Sequence, residues 1–121
     1  MIERRLIAIV DDNPSMLDAL QRLLNAYGFA THAYDSAEAF LARVNPGNYF
    51  GLVLDINLKG MSGIELQLQL AASGSRLPVV FITASDDRAV HDSAMRSGGV
   101  ACLQKPFAAK QLIAAIEQRA V

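Results

Sequence analysis

The chain has 121 residues, 52% of them hydrophobic and 19% charged, which suits one domain spanning 1–121 with its own core and excludes a disordered chain. Eleven Lys and Arg against twelve Asp and Glu leave a net charge of −1, so there is no basic field for nucleic acid and no acidic tail; any contact with DNA is expected from another domain. Cys102 is the single cysteine, which excludes an internal disulfide and points to a reducing compartment.

Met1–Ile2–Glu3–Arg4–Arg5 leads into an apolar run, Leu6 to Val10, too short for a signal peptide core or a membrane span. A cytoplasmic location without membrane contact is the expectation. Three similar runs follow: Leu52 to Leu54, Val79 to Ile82 and Val100 to Leu103. None alternates with polar residues, which predicts strands buried on both faces of a parallel sheet. After the first run, Asn13 is placed to cap a helix, Pro14 fits its first position, and Gly28 ends it. Leu17, Leu20, Leu24 and Tyr27 mark the inward face. Phe29 to Tyr34 reads as a weaker strand near an edge. Ser36 caps a second helix with Ala37, Phe40, Leu41 and Val44 inward, and Asn45–Pro46–Gly47–Asn48 closes it as a loop.

Ile64 to Leu70 alternates strictly, which is a strand pattern. Its Leu, Gln and Glu content favours helix, however, and two adjacent parallel strands need a crossover between them, so we read it as helix with Leu66 and Leu70 in the core. Asp86 to Ser97 reads as a helix with little to bury, only Val90, Ala94 and Met95, and is expected among the less stable parts. The last helix runs from Ala108 to Arg119, with Leu112, Ile113 and Ile116 inward. Five β-α units with right-handed crossovers give an open parallel sheet with helices on both faces. Ligands of such sheets sit beyond the carboxyl ends of the strands.

Four of the five strand ends carry polar groups: Asp11–Asp12, Asp55, Thr83 followed by Ala84 and Ser85, and Lys105–Pro106. Three carboxylates in one crevice repel, by roughly 4 kcal/mol for a pair about 4 Å apart at an effective dielectric of 20. Either some take up protons or a cation sits among them. Hard oxygen donors suit Mg²⁺ better than zinc or copper. An ionised Asp55 beside Mg²⁺ is a competent nucleophile toward a phosphoryl group, with Lys105 to neutralise charge and the Thr83 hydroxyl to bond an oxygen.

The set Asp11–Asp12, Asp55, Thr83 and Lys105–Pro106–Phe107 resembles the signature of bacterial two-component response-regulator receiver domains, and the likeness runs from Leu6 to the last helix. Val10–Asp11–Asp12–Asn13–Pro14–Ser15 and Gly60–Met61–Ser62–Gly63–Ile64–Glu65–Leu66 are most similar to the FixJ-type subgroup. The resemblance implies an α/β flavodoxin-like fold, a doubly wound five-stranded parallel sheet in the order 2-1-3-4-5. It implies Asp55 as phosphoacceptor, with Mg²⁺ held by Asp12, Asp55, the Asn57 carbonyl and, through water, Asp11. Thr83 and Ala84 would form the switch with Lys105, and the Lys105–Pro106 bond would be cis. The implied partner is a sensor histidine kinase or phosphotransfer protein. The face built from the fourth helix, fifth strand and fifth helix would change on phosphorylation and pair with a second receiver. The FixJ-type likeness further implies a DNA-binding helix-turn-helix domain elsewhere in a longer regulator.

Two positions depart from the pattern. Cys102 stands where an aromatic switch residue is usual, which shifts the burden of signalling onto Thr83 and the loop after it. Lys59 stands where Pro is common. Asn57 and Ser85 occupy the positions that tune phosphoryl lifetime, and neither is bulky or charged. Residue by residue the blander readings are a buried small hydrophobe for Cys102, surface positions for His32 and His91, and core for Phe107. Other functions weigh less. A phosphohydrolase lacks a general-acid carboxylate at Asn57, a pseudo-receiver would not need the full acidic set, and a flavodoxin-like cofactor binder lacks a glycine-rich loop after Val10.

Overall fold

A computed structural model describes residues 5–43 and 48–118. Strands and helices alternate as β1 (Leu6–Val10), α1 (Pro14–Ala26), β2 (Ala30–Tyr34), α2 (Ala37–Arg43), β3 (Gly51–Asp55), α3 (Gly63–Ala72), β4 (Val79–Thr83), α4 (Arg88–Arg96), β5 (Ala101–Gln104) and α5 (Ala109–Glu117). The apolar runs are the strands. They pair in parallel in the order β2-β1-β3-β4-β5, with β3 and β4 buried along their whole length. Val44, positions 45–47 and Arg119, the expected end of the last helix, lie outside the described residues.

The sheet divides the core in two, because alternate strand residues face opposite sides. Ala8, Val10, Leu52, Leu54 and Phe81 meet Phe40 of α2, Leu66 and Leu70 of α3 and Ala94 of α4. Ile7, Ile9, Val53, Val80 and Ile82 meet Leu20 and Leu24 of α1 and Leu112 and Ile116 of α5. The segment from Ile64 to Leu70 is helical despite its alternation. A capping box between Ser62 and Glu65 starts it, and Leu66 and Leu70, one turn apart, take the buried positions while Leu68 turns to solvent.

Tyr27 does not join the α1 core face. Its heptad spacing from the buried Leu20 keeps it within about 20° of the core face, but the helix ends at Ala26. It caps the helix, stands 49% exposed, and Phe29 fills the core instead. Asn13 caps α1 through the Ser15 and Met16 amides, and Gly28, with φ +91°, supplies the left-handed residue past its end. Helix α4 buries only Ala94 and leaves Met95 exposed, the thin face read from its residues. Ile113 and Phe107 pack half-buried at the margin of the core.

Candidate functional site

The parallel strands all end on one edge of the sheet, and there β1, β3, β4 and β5 deliver their polar residues to one crevice. Asp11 and Asp12 follow β1, Asp55 closes β3, Thr83 closes β4, and Lys105 follows β5. One carboxylate oxygen from each of Asp11, Asp12 and Asp55 lies within 4.8 Å of the others. Asp11 and Asp55 are buried, as is Thr83, whereas Asp12 is half-buried and open to solvent.

Lys105 spans the crevice. Its Nζ donates to Asp11 Oδ2 and to Asp55 Oδ2, each at 3.3 Å. The end of β4 fixes its backbone, since Lys105 N–H donates to the Thr83 carbonyl at 2.7 Å; the Lys105–Pro106 peptide is cis, as expected. The other acceptors are also engaged. Asn13 N–H donates to Asp11 Oδ1 at 2.9 Å, Asn57 N–H to Asp55 Oδ1 at 3.0 Å, and Lys59 N–H to Asp12 Oδ2 at 3.1 Å. Each oxygen keeps a second lone pair for another partner.

Burial pushes the Asp55 carboxyl above its ordinary value; the Asn57 N–H opposes this, Asp11 adds to the rise, and Lys105 opposes it. Burial thus outweighs the help that Lys105 and the Asn57 N–H give the ionised Asp55. The donor set fits a small hard divalent cation: three carboxylates, oxygen ligands throughout, and one open, half-exposed member through which an ion can enter. Asp11, Asp12 and Asp55 are the residues that would hold it.

Thr83 ties this cluster to the loop after β4. Its Oγ1 donates to Asn57 Oδ1 at 3.0 Å and accepts from Ser85 N–H at 3.1 Å. Ala84 between them is exposed and carries only its backbone through the turn. Cys102 lies half-buried on β5 opposite Phe81, and burial pushes its thiol up. It packs against the α3-side core as a small apolar residue.

Several participants were not legible beforehand. Gly63 starts α3 directly beneath Asp55, where a Cβ would come 2.3 Å from the Asp55 carbonyl oxygen, so only glycine lets the helix approach. Glu38, from α2, accepts the Met61 N–H at 3.0 Å and so pins the loop that follows Asp55; that bond holds its carboxyl below the usual range. Gly63 falls within the Gly60–Leu66 motif, which does not reveal its place beneath Asp55, and Glu38 has no periodic or motif signal. The expectation that His91 is a plain surface residue is corrected: it is half-buried, and its Nε2 lies 2.8 Å from the Ser85 carbonyl oxygen. The turn after β4 folds back over the start of α4, which one-dimensional spacing does not reveal. His32 is exposed, as expected, although it bonds the Tyr49 hydroxyl at 2.9 Å.

Comparison with known proteins gives one consistent answer. A model of the response regulator receiver domain matches residues 7–117. The chain is 38% identical over 112 residues to the transcriptional regulatory protein FixJ of Bradyrhizobium diazoefficiens, covering 92% of this chain and 54% of FixJ. It is 34% identical over 110 residues to the response regulator protein TodT of Pseudomonas putida, covering 91% and 48%. Among solved structures, the response regulator StyR superposes with a TM-score of 0.89 at 41% identity, over 97% of this chain and 59% of StyR. The FixJ-N structure gives 0.88 at 35% identity, over 98% and 94%. The chain thus spans about half the length of the curated relatives it matches.

Proposed function

The chain belongs to the response regulator receiver family, and on that premise we propose that it is a phosphorylation-dependent switch that accepts a phosphoryl group on Asp55. The observation that carries this reading is the meeting of Asp11, Asp12, Asp55 and Lys105 within one crevice, with the Thr83 hydroxyl one residue away through Asn57. Receiver domains of two-component systems exchange phosphoryl groups with kinases or phosphotransfer proteins, and a sensor histidine kinase or phosphotransfer protein is the proposed donor here.

In the proposed step an Asp55 carboxylate oxygen attacks the phosphorus of a phosphohistidine. The O–P bond forms as the N–P bond breaks, and the imidazole leaves. Asp55 needs no general base, because the ionised carboxylate is already the nucleophile. Asp12, Asp55 and the Asn57 carbonyl would hold Mg²⁺, with Asp11 helping through water, and the ion would supply charge neutralisation at the transferred oxygens. Lys105, already within 3.3 Å of Asp55, moves its ammonium onto a phosphoryl oxygen. Thr83 exchanges a neutral acceptor, the Asn57 side chain, for a charged one, and a charge-assisted bond is roughly twice as strong as a neutral one. That difference biases the position of Thr83 and of the loop after it. The proposed readout is the face formed by α4, β5 and α5, which would pair two receivers.

The relatives that the chain half-spans include a transcriptional regulatory protein. We extend the proposal to a receiver unit, residues 1–121, whose output is transcriptional and made by a separate DNA-binding domain, in the cytoplasm. Among the described residues no helix is long and apolar enough to cross a membrane. Catalysis would be confined to the receiver's own phosphorylation and dephosphorylation.

Titrating wild type and Asp55→Asn with Mg²⁺ and beryllium fluoride, followed by NMR, tests the reading. Mg²⁺-dependent shifts at Thr83 are expected in wild type alone. Equal responses in both proteins would remove Asp55 from its role.

A further inference from the structure

We propose that His91 couples the Thr83 hydroxyl to helix α4, acting as a positioning residue that latches the loop after β4 in the unphosphorylated arrangement. The proposal rests on the phosphoacceptor reading of Asp55 and adds the route by which its modification leaves the pocket.

The route is a continuous chain of hydrogen bonds centred on Ser85. Its N–H donates to Thr83 Oγ1 at 3.1 Å. Its own hydroxyl oxygen accepts from Asp87 N–H at 3.1 Å, and Asp87 in turn caps α4 by accepting from Ala89 N–H at 2.9 Å. Its carbonyl oxygen lies 2.8 Å from His91 Nε2. A carbonyl only accepts, so Nε2 carries the proton and donates. Ser85 is thereby held to Thr83 on one side and to the cap and first turn of α4 on the other.

Two features make His91 the decisive end of this chain. Helix α4 buries only Ala94, so polar ties at its N-terminal end are a large share of what fixes its position. Of the bonds that Ser85 makes, the one to His91 reaches a side chain of the helix itself rather than its cap. The imidazole also borders a cavity of about 310 Å³ lined by Asp86, Arg88, His91, Asp92 and Gln104, so the ring has room to swing once released. When Thr83 turns to a phosphoryl oxygen, the Ser85 backbone that its hydroxyl holds must follow or let go. The Asp87 and His91 bonds oppose that movement, and when the backbone follows, its carbonyl is drawn away from His91. The latch opens, and α4 is free to shift.

Reciprocity of coupling gives the test. Beryllium fluoride with Mg²⁺ is titrated into wild type, His91→Ala and His91→Gln while NMR follows the amides of Thr83 and Ser85 and, separately, those of Ala89, Val90 and Asp92. His91→Ala is expected to bind the mimic about fivefold more tightly, the worth of one net intramolecular hydrogen bond no longer broken on binding. Its Thr83 and Ser85 amides should still respond while the α4 amides lose most of their shift. His91→Gln keeps a side-chain N–H donor and should restore wild-type affinity and α4 response. A full α4 response with unchanged affinity in His91→Ala overturns the coupling alone. No Thr83 response in wild type overturns the phosphoacceptor reading and this proposal with it.

Discussion

Neutralising Asp55 should stabilise the metal-free protein, because the carboxylate is held in a place the fold disfavours. Its oxygens approach those of Asp11 and Asp12 to within 4.8 Å, so at an effective dielectric of 20 each pair repels by about 3.5 kcal/mol. Lys105, 3.3 Å away, returns about 5 kcal/mol of attraction on the same basis. Lys105 offsets the repulsion from buried Asp11, but desolvation of a carboxylate that is only 5% exposed is the largest effect and leaves a deficit. Asp12 is open to solvent and its share is screened, so the gain from Asp55→Asn should be about 1–2 kcal/mol. Unfolding entropies of about 2.1 cal/mol/K per residue translate this into a Tm rise of roughly 4–8 °C for a domain of this length. The assay is thermal unfolding by circular dichroism in a chelator, then in Mg²⁺. Saturation at 100 times Kd stabilises wild type by about 2.7 kcal/mol, and Asp55→Asn should gain less, so the gap narrows or reverses. An unchanged or lower Tm for Asp55→Asn in chelator would show that the Lys105 pair outweighs the crowding and would refute the reasoning.

The same shift predicts a pH dependence. Because the Asp55 carboxyl is raised in the folded state, its contribution favours the fold below its ordinary value of 3.8 and is lost as pH rises through the higher folded value; urea midpoints in chelator should show this loss in wild type and not in Asp55→Asn. Lys105→Ala leaves Asp11 and Asp55 without their shared ammonium and should cost about 1–3 kcal/mol in chelator, while Mg²⁺ binding by calorimetry persists and the Thr83 NMR response to beryllium fluoride disappears; loss of metal binding instead would contradict its role. Gly63→Ala should destabilise by about 1–3 kcal/mol in urea titrations, since the new methyl meets backbone at Asp55 that cannot turn aside. Burial raises the Cys102 thiol, so a thiol reagent at neutral pH should label it more slowly in the folded protein than in urea.

Much of the architecture was legible because the strands of a doubly wound sheet are buried on both faces and read as unbroken apolar runs. The helix at Ile64 to Leu70 shows where pattern and chemistry conflict: Leu68 completes the alternation but faces solvent, and the Ser62–Glu65 cap decides the matter. Tyr27 was misplaced because the helix ends one residue earlier, at Ala26, so the periodicity no longer sets its direction. The acidic trio and Lys105 were legible because a parallel sheet sends every strand end to the same edge. What lay hidden depends on backbone approach and loop conformation: Gly63 under Asp55, Glu38 on the Met61 amide, and His91 on Ser85. None of these follows from spacing, since each joins segments whose relative placement only the packed structure supplies.

The phosphoacceptor assignment is tested most directly by mass spectrometry of the protein after incubation with Mg²⁺ and a small acyl phosphate. We expect one phosphoryl increment, mapped to the peptide bearing Asp55, abolished by chelator and by Asp55→Asn. An increment that survives in Asp55→Asn, or that maps to another residue, contradicts the account.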